Sequence, residues 1–390
     1  MKRRSILVGG SALASASLLT GFNFNWRRML PARDRNILEG GPVQVPLDYV
    51  GIHFHRWPSR WRMGDVDSPA PTYRYGMVRS LNYDGVAWRD LQLAPGAYDW
   101  KRLDEWVDTH AARGHTMMFT LYGTPTWAST RPSVLDPYYY LGGDSRPIDM
   151  TLVGEFTAAL VSRYNQPGSP RRIAYLEIWN EPDFHGGRYW RDSAEDLAEL
   201  CREAYMAAKQ VDPDIIVLSP PFNDLFEGPK VYPKIIRWAE ADDRHGGVGG
   251  QWADAIAFHY YHYWDTNPVE MLDVIEGMRM TRAAMGKHQL DLHLTEIGDN
   301  RYWEKGDVPE ADKILTIRRW MALGAAGGLK TLGLYSHESH HLGEPATRPA
   351  VARAIDEMHE LLAGSTITAG MLRKDGQVEI TMAEGSQHAW

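Results

Sequence analysis

The sequence predicts a (β/α)8 barrel of the TIM type with a small accessory β-sheet from the chain ends. Eight short apolar runs alternate with amphipathic segments, the pattern of strand and helix repeated that builds a closed parallel sheet. Polar side chains gather at the ends of several runs, where a barrel opens its mouth. The 390 residues suffice for one barrel of about 250 residues with additions. We place an export signal at 1–25, the barrel at 36–362 and accessory strands at 363–390.

Residues 1–25 open with Lys2, Arg3 and Arg4, continue through a short apolar stretch and carry small residues around Ala14-Ser15-Ala16. That is the build of a bacterial export signal, and the stretch is too short to span a bilayer. Arg3 and Arg4 followed by Ser5, Ile6 and Leu7 resemble a twin-arginine signal. No cysteine follows Leu18-Leu19, so no lipoprotein anchor is expected. The expectation is a periplasmic or secreted protein without stable membrane insertion.

The runs are VGIHFH (50–55), MVRSLNY (77–83), HTMMFTLY (115–122), IAYLEIWN (173–180), DIIVLSP (214–220), AIAFHYY (255–261), DLHLTEIG (291–298) and TLGLYSH (331–337). Parity places Gly51, His53 and His55 on one face of the first, and Ala255, Ala257, His259 and Tyr261 on one face of the sixth. Small residues below and polar ones above suit a barrel interior. Between the runs, segments such as YDWKRLDEWVDTHAARG, AEDLAELCREAYMAAKQ and DKILTIRRWMALGAAGG space their apolar residues at helical intervals. After the eighth unit, STITAGMLRKDGQVEITM reads as two strands around an Asp375-Gly376 turn, joined by PVQVPL (42–47) in a small sheet.

A net charge of −8 and no basic run beyond the N-terminus exclude an electrostatic grip on nucleic acid. The single cysteine, Cys201, excludes an internal disulfide and a cysteine metal cluster, and is read as a packed thiol in a helix. Fifteen Trp and nineteen Tyr against nine Phe favour rings with a polar edge, several of them in loops where a flat face can lie against a sugar.

Glu181 ends the fourth run and Glu296 the seventh. Two carboxyl groups facing each other across a pocket at about 5 to 5.5 Å can break a glycosidic bond with retention, one attacking the anomeric carbon and the other donating to the leaving oxygen. They need opposite protonation states, which the charge of one helps to impose on the other. Asn180, beside the acid, can hydrogen-bond a sugar 2-hydroxyl.

At Trp179-Asn180-Glu181-Pro182 and Leu294-Thr295-Glu296 the sequence resembles the clan A glycoside hydrolases and, within them, glycoside hydrolase family 39. GIHFH, the Val78-Arg79 pair, LAPGAYDW, TPTWAS, IWNEPD, FHYY and LTEIG follow in the family's order. The resemblance implies a retaining enzyme acting on β-type O-glycosidic bonds of an oligo- or polysaccharide, with Glu181 as acid/base and Glu296 as nucleophile and with no cofactor or metal. It places Asn180 on the 2-hydroxyl, and His55, His259, Tyr261 and Trp127 along the sugar. Arg79 would keep the nucleophile ionised, and Glu177 would pair inside the barrel. The family includes enzymes that trim xylose, enzymes acting on iduronic acid and bacterial exopolysaccharide endoglycosidases, and export favours the last. The clan's eighth-strand Trp is replaced here by LYSHESHH (334–341), where Tyr335 or His337 would take its place.

Two other readings compete. His53-Phe54-His55 could begin a metal-dependent amidohydrolase barrel, although the fifth run ends in SPPFND without a histidine. A barrel that binds glycans without cleaving them would explain the aromatic loops but not two glutamates.

Overall fold

The computed structural model describes residues 33–54, 71–81, 85–137, 139–183, 189–223, 231–262, 267–301, 306 and 308–390. The expected export signal at 1–25 and His55 lie outside the described residues.

Each of the eight apolar runs contains a strand: β1 (Val50–Ile52), β2 (Met77–Arg79), β3 (Thr116–Leu121), β4 (Ile173–Ile178), β5 (Ile216–Leu218), β6 (Ala255–His262), β7 (Asp291–Asp299) and β8 (Thr331–Leu334). They pair in parallel and in sequence order, and β8 returns to β1, so the sheet is a closed barrel. Long helices follow β2 to β8: α1 (Lys101–Ala111), α2 (Thr151–Tyr164), α3 (Ala194–Val211), α4 (Val231–Glu240), α5 (Met271–Ala284), α6 (Glu310–Ala326) and α7 (Pro349–Leu362). Their boundaries have local causes. Ser193 and Asp196 exchange hydrogen bonds as a capping box at the start of α3, satisfying amide groups that the first turn leaves open. Pro349 opens α7, where a missing N–H costs nothing. On α1, Leu103, Trp106, Val107 and His110 form the buried stripe that seats the helix on the barrel.

The barrel interior is layered. Met77, Met118, Leu218, Ala255 and Ala257 pack with Tyr175 at the bottom. Gly51 and Gly333 are register partners on adjacent strands, and a Cβ on Gly51 would lie 2.4 Å from Met77 Cε. The absent side chain is therefore what lets Met77 fill the floor. Two residues further along the same strands come Arg79, Thr120, Glu177 and His259, all buried, so period-two alternation carries the interior from apolar floor to polar mouth. Cys201 is fully buried in the outer core between strands and helices, and burial raises its thiol pKa.

Beside the barrel, Thr366–Leu372 and Val378–Met382 pair antiparallel, and Val43–Gln44 joins the first of them. Arg35–Asn36 and Gln387–Ala389 extend this sheet and were not anticipated from the sequence, being too short to show alternation. Arg319 of α6 donates from Nε to the Trp390 carbonyl at 3.3 Å, tying sheet to barrel. Among the described residues no helix is long and apolar enough to cross a membrane.

Candidate active site

Beyond β4 the chain turns twice into the left-handed region, at Trp179 (φ 68°) and Glu181 (φ 43°), an arrangement costing on the order of 1 to 3 kcal/mol per residue that persists only where surroundings enforce it. They do so here. The Trp179 amide donates to Leu121 O at 2.8 Å and its indole to Tyr189 O at 2.7 Å, while the ring packs on Tyr122 and Trp190. The Glu181 amide donates to Pro221 O at 3.1 Å. The two reversals present Asn180 and Glu181 to the mouth instead of continuing the strand.

Glu296 reaches the mouth by a different device. His293 of β7 pairs with the inward-facing Ala257, so uninterrupted alternation would turn Thr295 inward and Glu296 out. A β-bulge intervenes: Phe258 pairs with Leu294 but His259 with Glu296. The extra residue shifts parity and brings the carboxylate inside, the familiar use of a bulge beside a site. His53 Nε2 holds the Thr295 carbonyl at 2.8 Å. A Cβ on Gly333 of β8 would lie only 2.2 Å from that oxygen, so the bulge requires glycine there. Gly333→Ala is expected to displace Glu296 and lower kcat/KM by about 100-fold, the order attached to misplacing a reacting group by about 1 Å. Steady-state kinetics on the folded variant, verified by circular dichroism, would check this; unchanged kcat/KM would contradict the assigned role of the bulge.

One buried guanidinium ties the two halves together. Arg79 donates from Nη1 to Glu296 Oε1 at 2.6 Å, from Nε to Glu177 Oε2 at 2.6 Å and from Nη2 to Asn180 Oδ1 at 2.8 Å. Thr120 Oγ1 donates to the same Glu177 oxygen at 3.0 Å. Because Asn180 spends its oxygen on Arg79, its amide Nδ2 remains to donate. The other Glu296 oxygen accepts from Tyr261 Oη at 2.5 Å. Glu181 has different partners: Oε1 accepts from Asn223 Nδ2 at 2.6 Å and meets His259 Nδ1 at 2.8 Å. One carboxylate oxygen each of Glu181 and Glu296 and one His259 nitrogen all lie within 4.8 Å of one another.

These partners separate the two acids. Burial drives the Glu181 carboxyl up to about 8, against the opposing Asn223 hydrogen bond and with help from the charge of Asp183. Burial also raises Glu296, but the Arg79 charge and the Tyr261 hydrogen bond each pull it back toward the ionised form. His259 itself is depressed by burial to about 4, so it is neutral at pH 7, with its Nδ1 paired to Glu181. Glu181 thus has only uncharged hydrogen-bond partners, whereas Glu296 has a guanidinium. Burial, more than the charge of the facing glutamate expected from the sequence, is what sets the Glu181 pKa.

The structure brings Arg79, Asn180, Glu181, His259, Tyr261, Glu296 and Tyr335 together. The Tyr335 ring lies 5.8 Å from Tyr261, 5.5 Å from His53 and 5.6 Å from His341. His337 instead packs on Phe54 and shares a 2.9 Å hydrogen bond between its Nδ1 and Tyr73 Oη, so of the two it is Tyr335 that lies against Tyr261. Trp127 is half-buried and its indole donates to Gln92 O at 3.0 Å. Glu177 is fully buried beneath the pair. Asn223 was missed, though it follows β5 in SPPFND, the kind of strand-end polar residue that a barrel places at its mouth.

The fold has clear counterparts among solved structures. A glucosidase from Croceicoccus marinus superposes with a TM-score of 0.60 at 14% identity, over 89% of this chain and 77% of that one. A family 39 glycoside hydrolase from Bacteroides cellulosilyticus WH2 gives 0.56 at 16% identity, over 89% and 70%. A family 39 β-xylosidase from Caulobacter crescentus gives 0.54 at 17%, over 90% and 79%. The chain shares the fold of family 39 glycoside hydrolases. No protein-family model matches the sequence, and no curated protein does. Within the family 39 fold, the described site lies at the C-terminal mouth of the barrel, where Glu181 follows β4 and Glu296 lies on β7.

Proposed function

We propose that the protein is a retaining glycoside hydrolase that cleaves β-type O-glycosidic bonds in an oligo- or polysaccharide. The observation that carries the reading is the unequal pair: two buried carboxyls with oxygens within 4.8 Å, one among neutral partners and the other on a guanidinium. Inverting enzymes need about 6.5 to 9.5 Å between the groups to admit a water, and retaining enzymes about 5 to 5.5 Å.

In this reading Glu296, anionic against Arg79, attacks the anomeric carbon as Glu181 passes its proton to the leaving oxygen. Both described partners of Glu181 lie on Oε1, which leaves Oε2 to face the leaving oxygen. Ester formation removes the Glu296 charge and water replaces the leaving group; both changes favour ionised Glu181, which then takes a proton from the attacking water. Asn180 Nδ2 donates to the 2-hydroxyl and Tyr335 contributes the floor. Export to the periplasm or beyond, toward an extracellular polysaccharide, rests on the sequence of residues 1–25.

Glu181, His259 and Glu296 also form a group able to hold a divalent ion, which keeps the metal-dependent reading in view. The donor set fits it poorly. A cation bound there would sit beside the Arg79 guanidinium, 2.6 Å from Glu296 Oε1, and would displace Tyr261 from Oε2. Proton NMR of product formation discriminates. The first-formed sugar is expected to keep the substrate's anomeric configuration, at a rate unchanged by EDTA. Inversion, or activity lost to chelation and restored by a divalent metal, would refute the proposal.

A further inference from the structure

A cleft of 640 Å³ opens immediately beyond the acid/base, with Pro182 and Asp183 in its wall. Asp183 Oδ1 accepts from the Asn223 amide at 2.8 Å, and Asn223 in turn holds Glu181. This wall is therefore continuous with the group that protonates the leaving oxygen. The segment 129–147 supplies Arg131 to the lining. That segment is pinned by the ion pair between Arg191 and Asp144 and by the Thr130 amide on Arg146 O at 3.0 Å.

Four cations line this cleft, Arg131, Arg191, Lys234 and Arg237, in a chain whose net charge is −8. Three of them are backed by buried carboxylates. Arg131 pairs with Asp192, Arg191 with Asp144 and Lys234 with Asp183, the cationic side chains being 37–38% exposed and the acids 0–8%. Asp183 and Asp192 line the cleft beside the cations they pair with, but they are nearly buried where the cations are over a third exposed, so a ligand in the cleft meets mainly the positive ends. Arg237 is exposed and makes no ion pair with a described residue; Glu195 is near enough to feel its charge. Trp190, nearly buried against Trp179, borders the cleft.

We propose that this cleft is a leaving-group subsite for a glycan residue bearing a carboxylate, such as a uronic acid. The assignment rests on the glycosidase reading, because it is Glu181 as proton donor that makes this the leaving-group side. Guanidinium groups held in fixed directions recognise a carboxylate by paired hydrogen bonds.

The test is binding to Glu181→Gln, which needs no turnover. Calorimetry would compare a glucuronate-containing tetrasaccharide with its carboxyl-reduced counterpart and with free glucuronate. The acidic tetrasaccharide is expected to bind about 10-fold more tightly than the reduced one. That preference should fall to less than about 2-fold in the added Arg237→Ala and Arg131→Ala variants, and shrink in 0.5 M salt as screening predicts. Equal binding of the two tetrasaccharides, binding of neither, free glucuronate binding as tightly as the tetrasaccharide, or a preference that survives both substitutions would overturn the subsite. Failure here would leave the stereochemical result untouched, and an inverting or metal-dependent enzyme would show itself there whatever this cleft binds.

Discussion

Glu296→Ala is expected to lower kcat/KM by at least about 10⁴-fold, roughly 5.4 kcal/mol of transition-state stabilisation at about 1.36 kcal/mol per decade. Neither of its two hydrogen-bond partners can replace it: Arg79 has no lone pair to offer, and burial raises the Tyr261 hydroxyl well above its usual pKa and keeps it protonated. The deletion leaves space beside a guanidinium, where azide can settle and attack the anomeric carbon directly. Rescue by azide should return turnover and yield a glycosyl azide of inverted configuration. Retention of wild-type kcat/KM would remove Glu296 from the nucleophile role. Arg79 offers no comparably clean test, because its removal strands buried Glu177 and Glu296, at a cost of about 3 to 5 kcal/mol for a broken buried pair.

Glu181→Ala is the second large effect, and its signature differs. On a substrate with a poor leaving group, loss of general acid catalysis should cost about 10² to 10⁴-fold. With an activated aryl leaving group, which departs without a proton, glycosylation of Glu296 should survive while hydrolysis of the ester stalls. Azide then attacks the ester without needing a base and gives an azide of retained configuration. The pH profile of kcat/KM carries the same assignment. Glu181 must be protonated, so activity falls as pH rises through about 8; Glu296 must be ionised, so activity falls as pH drops through its pKa, which burial raises above 4.5. In Glu181→Ala on the activated substrate the alkaline limb should vanish and the acid limb persist. An alkaline limb unchanged by the substitution would assign it to another group.

Much of this arrangement was legible because it follows from periodicity and composition. Alternating apolar runs predicted eight strands, and all eight close the barrel; the polar ends of those runs announced the mouth. What periodicity cannot encode is its own interruption. Plain alternation would have pointed Glu296 outward, and only the pairing of His259 with Glu296 across the bulge explains why it faces Glu181. The left-handed backbone at Trp179 and Glu181 is likewise set by tertiary partners, Leu121, Tyr189 and Pro221, that come from other parts of the chain. Gly333 looked like one more small residue in an apolar run, yet its missing Cβ accommodates the Thr295 carbonyl. Asn223 escaped notice because its importance lies in a contact with Glu181, 42 positions away.

The barrel and its polar layer give two glutamates with the same side chain different surroundings, Asn223 and His259 on Glu181 and a guanidinium on Glu296. The central claim is that Glu296 becomes an ester. The direct measurement is mass spectrometry of the protein treated with an activated 2-deoxy-2-fluoro glycoside of a sugar it cleaves, a reagent that slows release more than formation of the intermediate. One glycosyl unit should attach per chain, on the peptide carrying Glu296, with loss of activity that returns slowly on dilution. A label on Glu181 or elsewhere, or turnover of a cleaved sugar's derivative with no covalent adduct, would contradict the account.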